Sequence, residues 1–231
     1  MAHRRMQNTT KLEIMQTASR LFLENGYSAT SVRSICNELD MSTGHLMFYF
    51  PSKEHLLSIL VNELCDFQWK LIKSEADDGT SLLLCICFEL MSMASASEED
   101  PVAKDFLVSA YSSPLTLEII RKNDTERAKT VFAQFCPDWT DDDYKASETL
   151  VSGIEYATLM TTQTSAPLEN RISSALNTIM RIYNVPADLR KMKIEKVLSM
   201  DYRKTGKRIF KEFRQYIEEV NENAFDELMN K

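Results

Sequence analysis

The chain has 231 residues, 44% hydrophobic and 26% charged, the make-up of an ordinary globular protein with room for one large domain or two small ones. Its 5 glycines and 6 prolines, against 12 methionines, favour long helices over a turn-rich β fold. The net charge of −7 argues against an anionic partner only until its distribution is read: residues 1–57 carry six basic against five acidic side chains and residues 186–231 eleven against nine, so the acidic excess lies in 58–185.

The spacing predicts a first helix from about Thr10 to Asn25. Thr10-Lys11-Leu12-Glu13 has the form of a capping box, Ile14, Ala18, Leu21 and Phe22 make one apolar stripe, and Gly26 suits a left-handed C-cap. Thr30 is placed to cap a short second helix over about 31–39, with Val32, Ile35 and Cys36 inward. Asp40-Met41-Ser42 is the turn, and Ser42 caps a third helix of about two turns whose inner face is Leu46 and Phe50. Pro51 breaks it, and Ser52 caps a fourth helix from Lys53 to about Ser74.

Beyond a loop at Asp78-Gly79-Thr80, a nearly all-apolar helix is expected over about Ser81–Ser97. Asp100-Pro101 and Ser113-Pro114 each read as a cap followed by proline at the first helical position, and Cys136-Pro137 closes the helix begun at Pro114. Further helices are expected from Thr140 to about Thr164, from Pro167 to about Tyr183, and from Pro186 onward. Gly206 is read as a separator before a last stretch, Lys207 to about Met229, in which Ile209, Phe213, Tyr216, Ile217 and Val220 keep helical spacing. No strand alternation, repeat or low-complexity tract is found. The expected fold is therefore all-α: a three-helix head over residues 1–52, then a larger helical body over 53–231 with an additional C-terminal helical segment.

Several classes are excluded as expectations. The polar N-terminus has no apolar core for a signal peptide, and no apolar run approaches ~20 residues; the longest, Leu82–Leu90, contains Glu89. The five cysteines are irregularly spaced with no C-x-x-C pair, which suits reduced thiols in a cytoplasmic protein. An enzyme is not expected, since no glycine-rich phosphate loop or nucleophile elbow occurs. All three histidines, His3, His45 and His55, lie in the head, so the body has none to offer a diiron site, and neither metal nor cofactor is expected.

Two short helices joined by a tight turn after a longer buttress have the shape of a helix-turn-helix. Ser42, Thr43, Gly44 and His45 sit at the N-terminus of the third helix, where free N–H groups favour phosphate and small side chains permit approach to base edges. The run Ile14…Ala18…Leu21-Phe22…Gly26-Tyr27…Thr30-Ser31-Val32…Ile35-Cys36…Met41-Ser42-x-Gly44-x-Leu46…Tyr49-Phe50-Pro51-Ser52-Lys53-Glu54-x-Leu56 resembles the N-terminal domain of the TetR family of transcriptional regulators over about residues 10–57. The resemblance implies that Thr43, Gly44, His45, Met47 and Phe48 face the major groove. It also implies that Tyr49 and Lys53 hold phosphates, that Thr30, Ser31 and Ser42 touch the DNA backbone, and that Arg33 reaches a base. Met47 stands where the family usually has tyrosine, and Phe48 where histidine or another aromatic is frequent, so a phosphate contact is lost at Met47 and a thymine methyl becomes its natural partner.

In the body the resemblance implies a ligand cavity beside the apolar helix, with Phe67, Trp69, Phe88, Glu89, Met91, Tyr111, Tyr156 and Met160 as candidate lining. Glu89, alone in its apolar run, needs a cationic ligand, a basic side chain from another helix, or an exposed edge. A homodimer is expected through the two helices at 140–164 and 167–183, using Leu150, Ile154 and Ala157 on the first and Ile172, Leu176, Ile179 and Met180 on the second. Arg203, Lys204, Lys207, Arg208, Lys211 and Arg214 read as a solvated helix face. The expected partners are double-stranded, near-palindromic operator DNA, a second copy of the chain and a small-molecule effector of unstated identity, with no membrane. The expected role is a repressor rather than an activator. The rival reading is a dimeric helical interaction protein that has lost DNA binding.

Overall fold

Among the residues described by the computed structural model, 2–75 and 81–229, there are eleven α-helices and no strand. They are α1 (Ala2–Asn25), α2 (Val32–Glu38), α3 (Thr43–Tyr49), α4 (Lys53–Glu75), α5 (Leu82–Glu99), α6 (Pro101–Ser112), α7 (Pro114–Val131), α8 (Asp141–Leu159), α9 (Leu168–Ile182), α10 (Ala187–Leu198) and α11 (Tyr202–Met229), with a 3-10 turn at Ala133–Phe135 between α7 and α8. The loop expected at Asp78-Gly79-Thr80 lies outside the described residues.

Side-chain caps set many of the starts. Ser31 and Ser34 form a reciprocal capping box on α2, Ser42 accepts from the His45 N–H at the start of α3, and Asp100 accepts from Val102 and Ala103 ahead of Pro101. Thr140 and Asp143 box the start of α8, where Asp141 and Asp142 also face the positive end of the helix. In the head, α1, α2 and α3 bury Ile14, Ala18, Leu21, Phe22, Ile35, Cys36 and Leu46, and the turn between α2 and α3 passes through Asp40 in the left-handed region. The same apolar core continues through α4 into the body without a break at residue 52.

Helix α5 is the axis of the body, packed by α4, α6, α8, α9, α10 and α11, and most of it from Leu83 to Ser97 is buried. A helix apolar on all sides is stable only when surrounded in this way. One face carries Ser92, Ser95 and Ala96, and against it runs α11, which continues straight through Gly206. Gly206 was expected to separate two helices; it instead lets two helix backbones approach. A Cβ there would lie 2.6 Å from Ser95 Oγ and closer still to the Ser92 carbonyl oxygen. Gly206→Ala is therefore expected to destabilise the chain by at least ~1–3 kcal/mol, since the obstacle is backbone rather than a movable side-chain tip. An unchanged urea midpoint would show that α11 does not need this close approach.

Three other boundaries differ from the sequence reading. Helix α1 begins at Ala2 and passes through Thr10, so the Thr10–Glu13 box caps nothing. Helix α7 stops at Val131, before Cys136-Pro137, and its exit tightens into the 3-10 turn. Helix α8 stops at Leu159 instead of Thr164, because Thr162 and Ser165 bond to each other's side chain and backbone, an alternative to helical pairing. No described helix is long and apolar enough to cross a membrane.

Candidate nucleic-acid interface and internal cavity

Helix α3 is seven residues long, and only Leu46 is buried. Ser42, Thr43, Gly44 and His45 are exposed around its first turn, and Met47 (48% exposed) and Phe48 (71%) follow. His45 and Phe48 both lie against the half-buried Tyr49 ring, with centroids 5.4 and 5.2 Å away. Two large apolar side chains standing in water beside small polar ones make a surface suited to contact with another molecule. Arg33 on α2 is exposed and has no protein partner among the described residues. Ser31 is exposed, with its hydroxyl engaged in the α2 cap.

Two expected backbone contacts are corrected. Thr30 is buried, and its hydroxyl bonds to the Leu21 and Gly26 carbonyls, closing the α1–α2 turn from inside, so its side chain is turned away from the outer surface of the head. Lys53 points into the same turn: its ammonium donates to the Tyr27 and Thr30 carbonyls, both at 2.9 Å, and lies 3.8 Å from the centre of the Tyr27 ring. A sequence motif places Lys53 next to the head but does not reveal that its charge is turned inward.

The turn is also held from the body. Asp105 on α6 accepts from the Ser28 N–H at 2.8 Å and occupies the space a side chain at Gly26 would need; Gly26 itself sits at φ +94. From α11, Arg214 donates to the Leu23 carbonyl and Tyr216 reaches Glu63 on α4 at 3.2 Å. The head is thus tied to α4, α6 and α11, and the C-terminal segment packs along α1 and α5. Part of the expected solvated basic face is ion-paired to the body: Arg203 bridges Glu99 and Glu169, and Lys207 also reaches Glu99.

Between α4, α5, α6, α7, α8 and α9 lies a cavity of about 80 Å³. Of the eight residues expected to line it, Glu89 and Tyr111 do. Phe67 instead packs on Phe213 and Tyr216 of α11, and Trp69 stacks behind the wall on the Arg127 guanidinium. Phe88 and Met91 point to the other side of α5, Tyr156 is off the wall, and Met160 is half exposed. The α5 residues that do face the cavity are Ile86, Glu89, Leu90 and Met93, one helical face.

The polar lining is mostly unforeseen. Arg127 on α7 pairs with Glu89 at 3.1 Å, lies 3.5 Å from Asp124, and donates to the Cys65 carbonyl; Gln68 also donates to Glu89. Glu89 has thus found the basic partner from another helix. On α8, Glu155 accepts from the Tyr111 hydroxyl at 3.0 Å and Glu148 from the Tyr183 hydroxyl. Burial pushes all four carboxyls up, Asp124 to about 8, Glu148 to about 7 and Glu155 well above the usual range; Arg127 opposes this at Glu89, Asp124 and Glu148. The signal available in the sequence was the spacing of Glu148, Val151 and Glu155, two carboxyls one face apart with an apolar residue between them.

The expected dimer face on α9 is also corrected. Ile172, Leu176, Ile179 and Met180 are buried inside the chain's own core, and Ile179 lines the cavity. The outward side of α9 is polar: Asn170, Ser174, Asn177, Thr178 and Arg181. On α8, Leu150 is 61% exposed, Ala157 is exposed and Ile154 is half-buried.

Against this geometry, the sequence profile of the family described as "Bacterial regulatory proteins, tetR family" matches residues 14–59, which are α1 from its first core residue, α2, α3 and the start of α4. The chain is 32% identical over 92 residues to the probable HTH-type transcriptional regulator YttP of Bacillus subtilis (strain 168), an alignment covering 38% of this chain and 44% of that protein. It is 44% identical over 76 residues to the uncharacterized HTH-type transcriptional regulator YuxN of the same organism, covering 33% of this chain and 26% of that one. The chain therefore spans less than half the length of these relatives. The crystal structure of RolR in complex with resorcinol has a similar fold, with a TM-score of 0.63 and 17% identity, covering 85% of this chain and 97% of that one.

Proposed function

We propose that the chain, whose residues 14–59 match the TetR-type profile, is a sequence-specific DNA-binding regulator, a homodimer that represses transcription until a small molecule enters the cavity of the body. The observation that carries this reading is the coincidence of the family match with an α3 that exposes Thr43, His45, Met47 and Phe48 on the outside of a buried frame. Repression rather than activation rests on analogy with the family.

In this reading Thr43 and His45 read base edges, Met47 and Phe48 meet thymine methyls, and the free N–H groups of α3 with Ser42 position a phosphate. The cavity supports a sensing role because one helix serves both ends: α6 contributes Leu107, Ala110 and Tyr111 to the cavity and Asp105 to the α1–α2 turn. A ligand that binds better to one placement of α6 shifts the head by the same free energy. Two heads on one face of DNA place their α3 helices ~34–36 Å apart, so the operator is a near-palindrome.

Binding isotherms on a selected operator and on random duplex test the reading. His45→Ala is expected to cost ~1–3 kcal/mol on the operator and much less on random DNA, because a base contact carries sequence information and a phosphate contact does not. Equal losses on both duplexes would move His45 to the backbone. Absence of any salt-sensitive retardation would favour the interaction protein that has lost DNA binding.

A further inference from the structure

The cavity holds four carboxyls, Glu89, Asp124, Glu148 and Glu155, against one lining guanidinium, Arg127. Arg127 is fully engaged by Glu89, Asp124 and the Cys65 carbonyl. A second arginine of α7, Arg121, spends its Nε on the Ser152 hydroxyl, and its charge together with that of Arg127 draws Glu148 only part of the way back down. Glu148 and Glu155 are left with tyrosine hydroxyls as their hydrogen-bond donors. Glu148 is 2% exposed, and its Oε2 has no hydrogen-bond partner among the described residues. Buried carboxylates short of counter-charge are costly, and natural interiors avoid them unless something else completes the site. Beside Glu148, Phe132 and Tyr183 stack with centroids 4.0 Å apart, and Leu107, Ile120 and Val151 supply apolar wall.

We propose that the cavity binds a small organic cation, a protonated amine whose N–H groups bond to Glu148 and Glu155 and whose apolar body lies against Phe132 and the aliphatic wall. This rests on the effector-sensing reading above and gives its ligand a chemical class. An acceptor without a donor calls for an ammonium carrying N–H rather than a quaternary nitrogen. An anion would meet four carboxyls, and a neutral alcohol would bring no charge to favour their ionised forms. Among the described residues no group of three such side chains converges as metal ligands would. A cavity of about 80 Å³ suits a compact amine rather than a long polyamine.

The site has a titration signature. Glu89 on α5, Asp124 and the two arginines on α7, Glu148 and Glu155 on α8, Tyr111 on α6, Cys65 on α4 and Tyr183 after α9 are the ionisable groups around it. Burial raises Cys65, Tyr111 and Tyr183, so they stay neutral near neutral pH. Asp124 at about 8, Glu148 at about 7 and Glu155, raised well above the usual carboxylate range, hold protons there in part or in full in the empty cavity. An arriving ammonium favours their charged forms and lowers their pKa, so protons leave as the amine binds. Affinity then rises with pH between the bound and free pKa values, by up to roughly tenfold per unit for each proton released.

The test is calorimetric titration of the full chain with benzylamine, n-butylamine, benzyltrimethylammonium, benzyl alcohol and benzoate, in two buffers of different ionisation enthalpy. The two primary amines are expected to bind with Kd below about 1 mM and with proton release. The quaternary, neutral and anionic probes should bind at least ~10-fold more weakly. Glu148→Gln and Glu155→Gln should each weaken benzylamine by roughly 10- to 100-fold while the melting transition stays cooperative. Equal or tighter binding of the alcohol or the acid, no binding of either amine, or full affinity in both variants would overturn the proposal. Retardation of a duplex selected from a random library is measured separately. A chain that binds benzylamine but retards no selected duplex keeps the amine site and loses the regulator reading. One that binds duplex but takes neither amine keeps the regulator and loses the site.

Discussion

In the homodimer proposed above, Leu150→Arg is expected to leave a monomer without unfolding the chain. Leu150 is 61% exposed and outside the buried core, so a charge there has no core to disturb. It stands on the outward row of α8 with Ala146, Gly153 and Ala157, spaced at i, i+4, i+7 and i+11, one face of a helix. In the proposed homodimer, the small residues around one leucine would let α8 approach its own copy across a two-fold axis, with the polar outward side of α9 completing the rim. Symmetry doubles the substitution: two apolar contacts of ~1.5–3 kcal/mol are lost and two like charges face each other. The dimer constant should weaken by at least ~1,000-fold. Sedimentation at about 10 μM should then show a monomer, and operator affinity should fall to that of a single half-site. A dimer that survives Leu150→Arg would place the two-fold axis on another face of the body.

The head was legible because its signals are local. The cap at Ser42, a turn through Asp40 and a stop at Pro51 each act within a few residues, so α2, α3 and α4 fall within a residue or two of their expected bounds; the α2 cap is Ser31 rather than the expected Thr30, whose hydroxyl is turned inward to the Leu21 and Gly26 carbonyls. The body was legible as helices and much less so as a site. An apolar stripe states that a face is covered, not by what, and the stripe of Ile172, Leu176, Ile179 and Met180 reads the same whether a partner or the chain's own core covers it. Helix α5 is apolar all round, so its sequence has no phase except at Glu89, the one residue that marked the cavity face. The polar partners around the cavity, Glu89 of α5 with Arg127 of α7 and Glu148 of α8 with Tyr183, are assembled by tertiary packing, so no local spacing announces them. Gly206 failed as a local breaker for a similar reason: the Ser92 and Ser95 backbone and hydroxyl that require it are more than a hundred residues away.

Lys53→Met is expected to loosen the head, and it separates two roles that the motif alone cannot distinguish. If Lys53 held a phosphate, its loss would lower the salt slope of DNA binding by roughly 1 and leave the free protein's stability unchanged. The structure places the ammonium on the Tyr27 and Thr30 carbonyls, above the Tyr27 ring and near the charges of Glu54 and Asp105. Burial holds its pKa below the usual lysine value, and those two carboxylates draw it part of the way back. Methionine keeps the apolar stem over Tyr27 and removes only the donors, so the comparison isolates the hydrogen bonds. Two partly buried carbonyls would then lack a charged donor, worth about 3 kcal/mol together. The loss should appear as faster hydrogen exchange at the amides of α2 and α3 and as weaker binding to operator and random duplex alike, because a displaced α3 serves neither. The salt slope should stay where it was. Unchanged exchange in α2 and α3 together with a slope lowered by one would return Lys53 to the DNA backbone, and the α1–α2 turn would then depend on Asp105 and Thr30 without it.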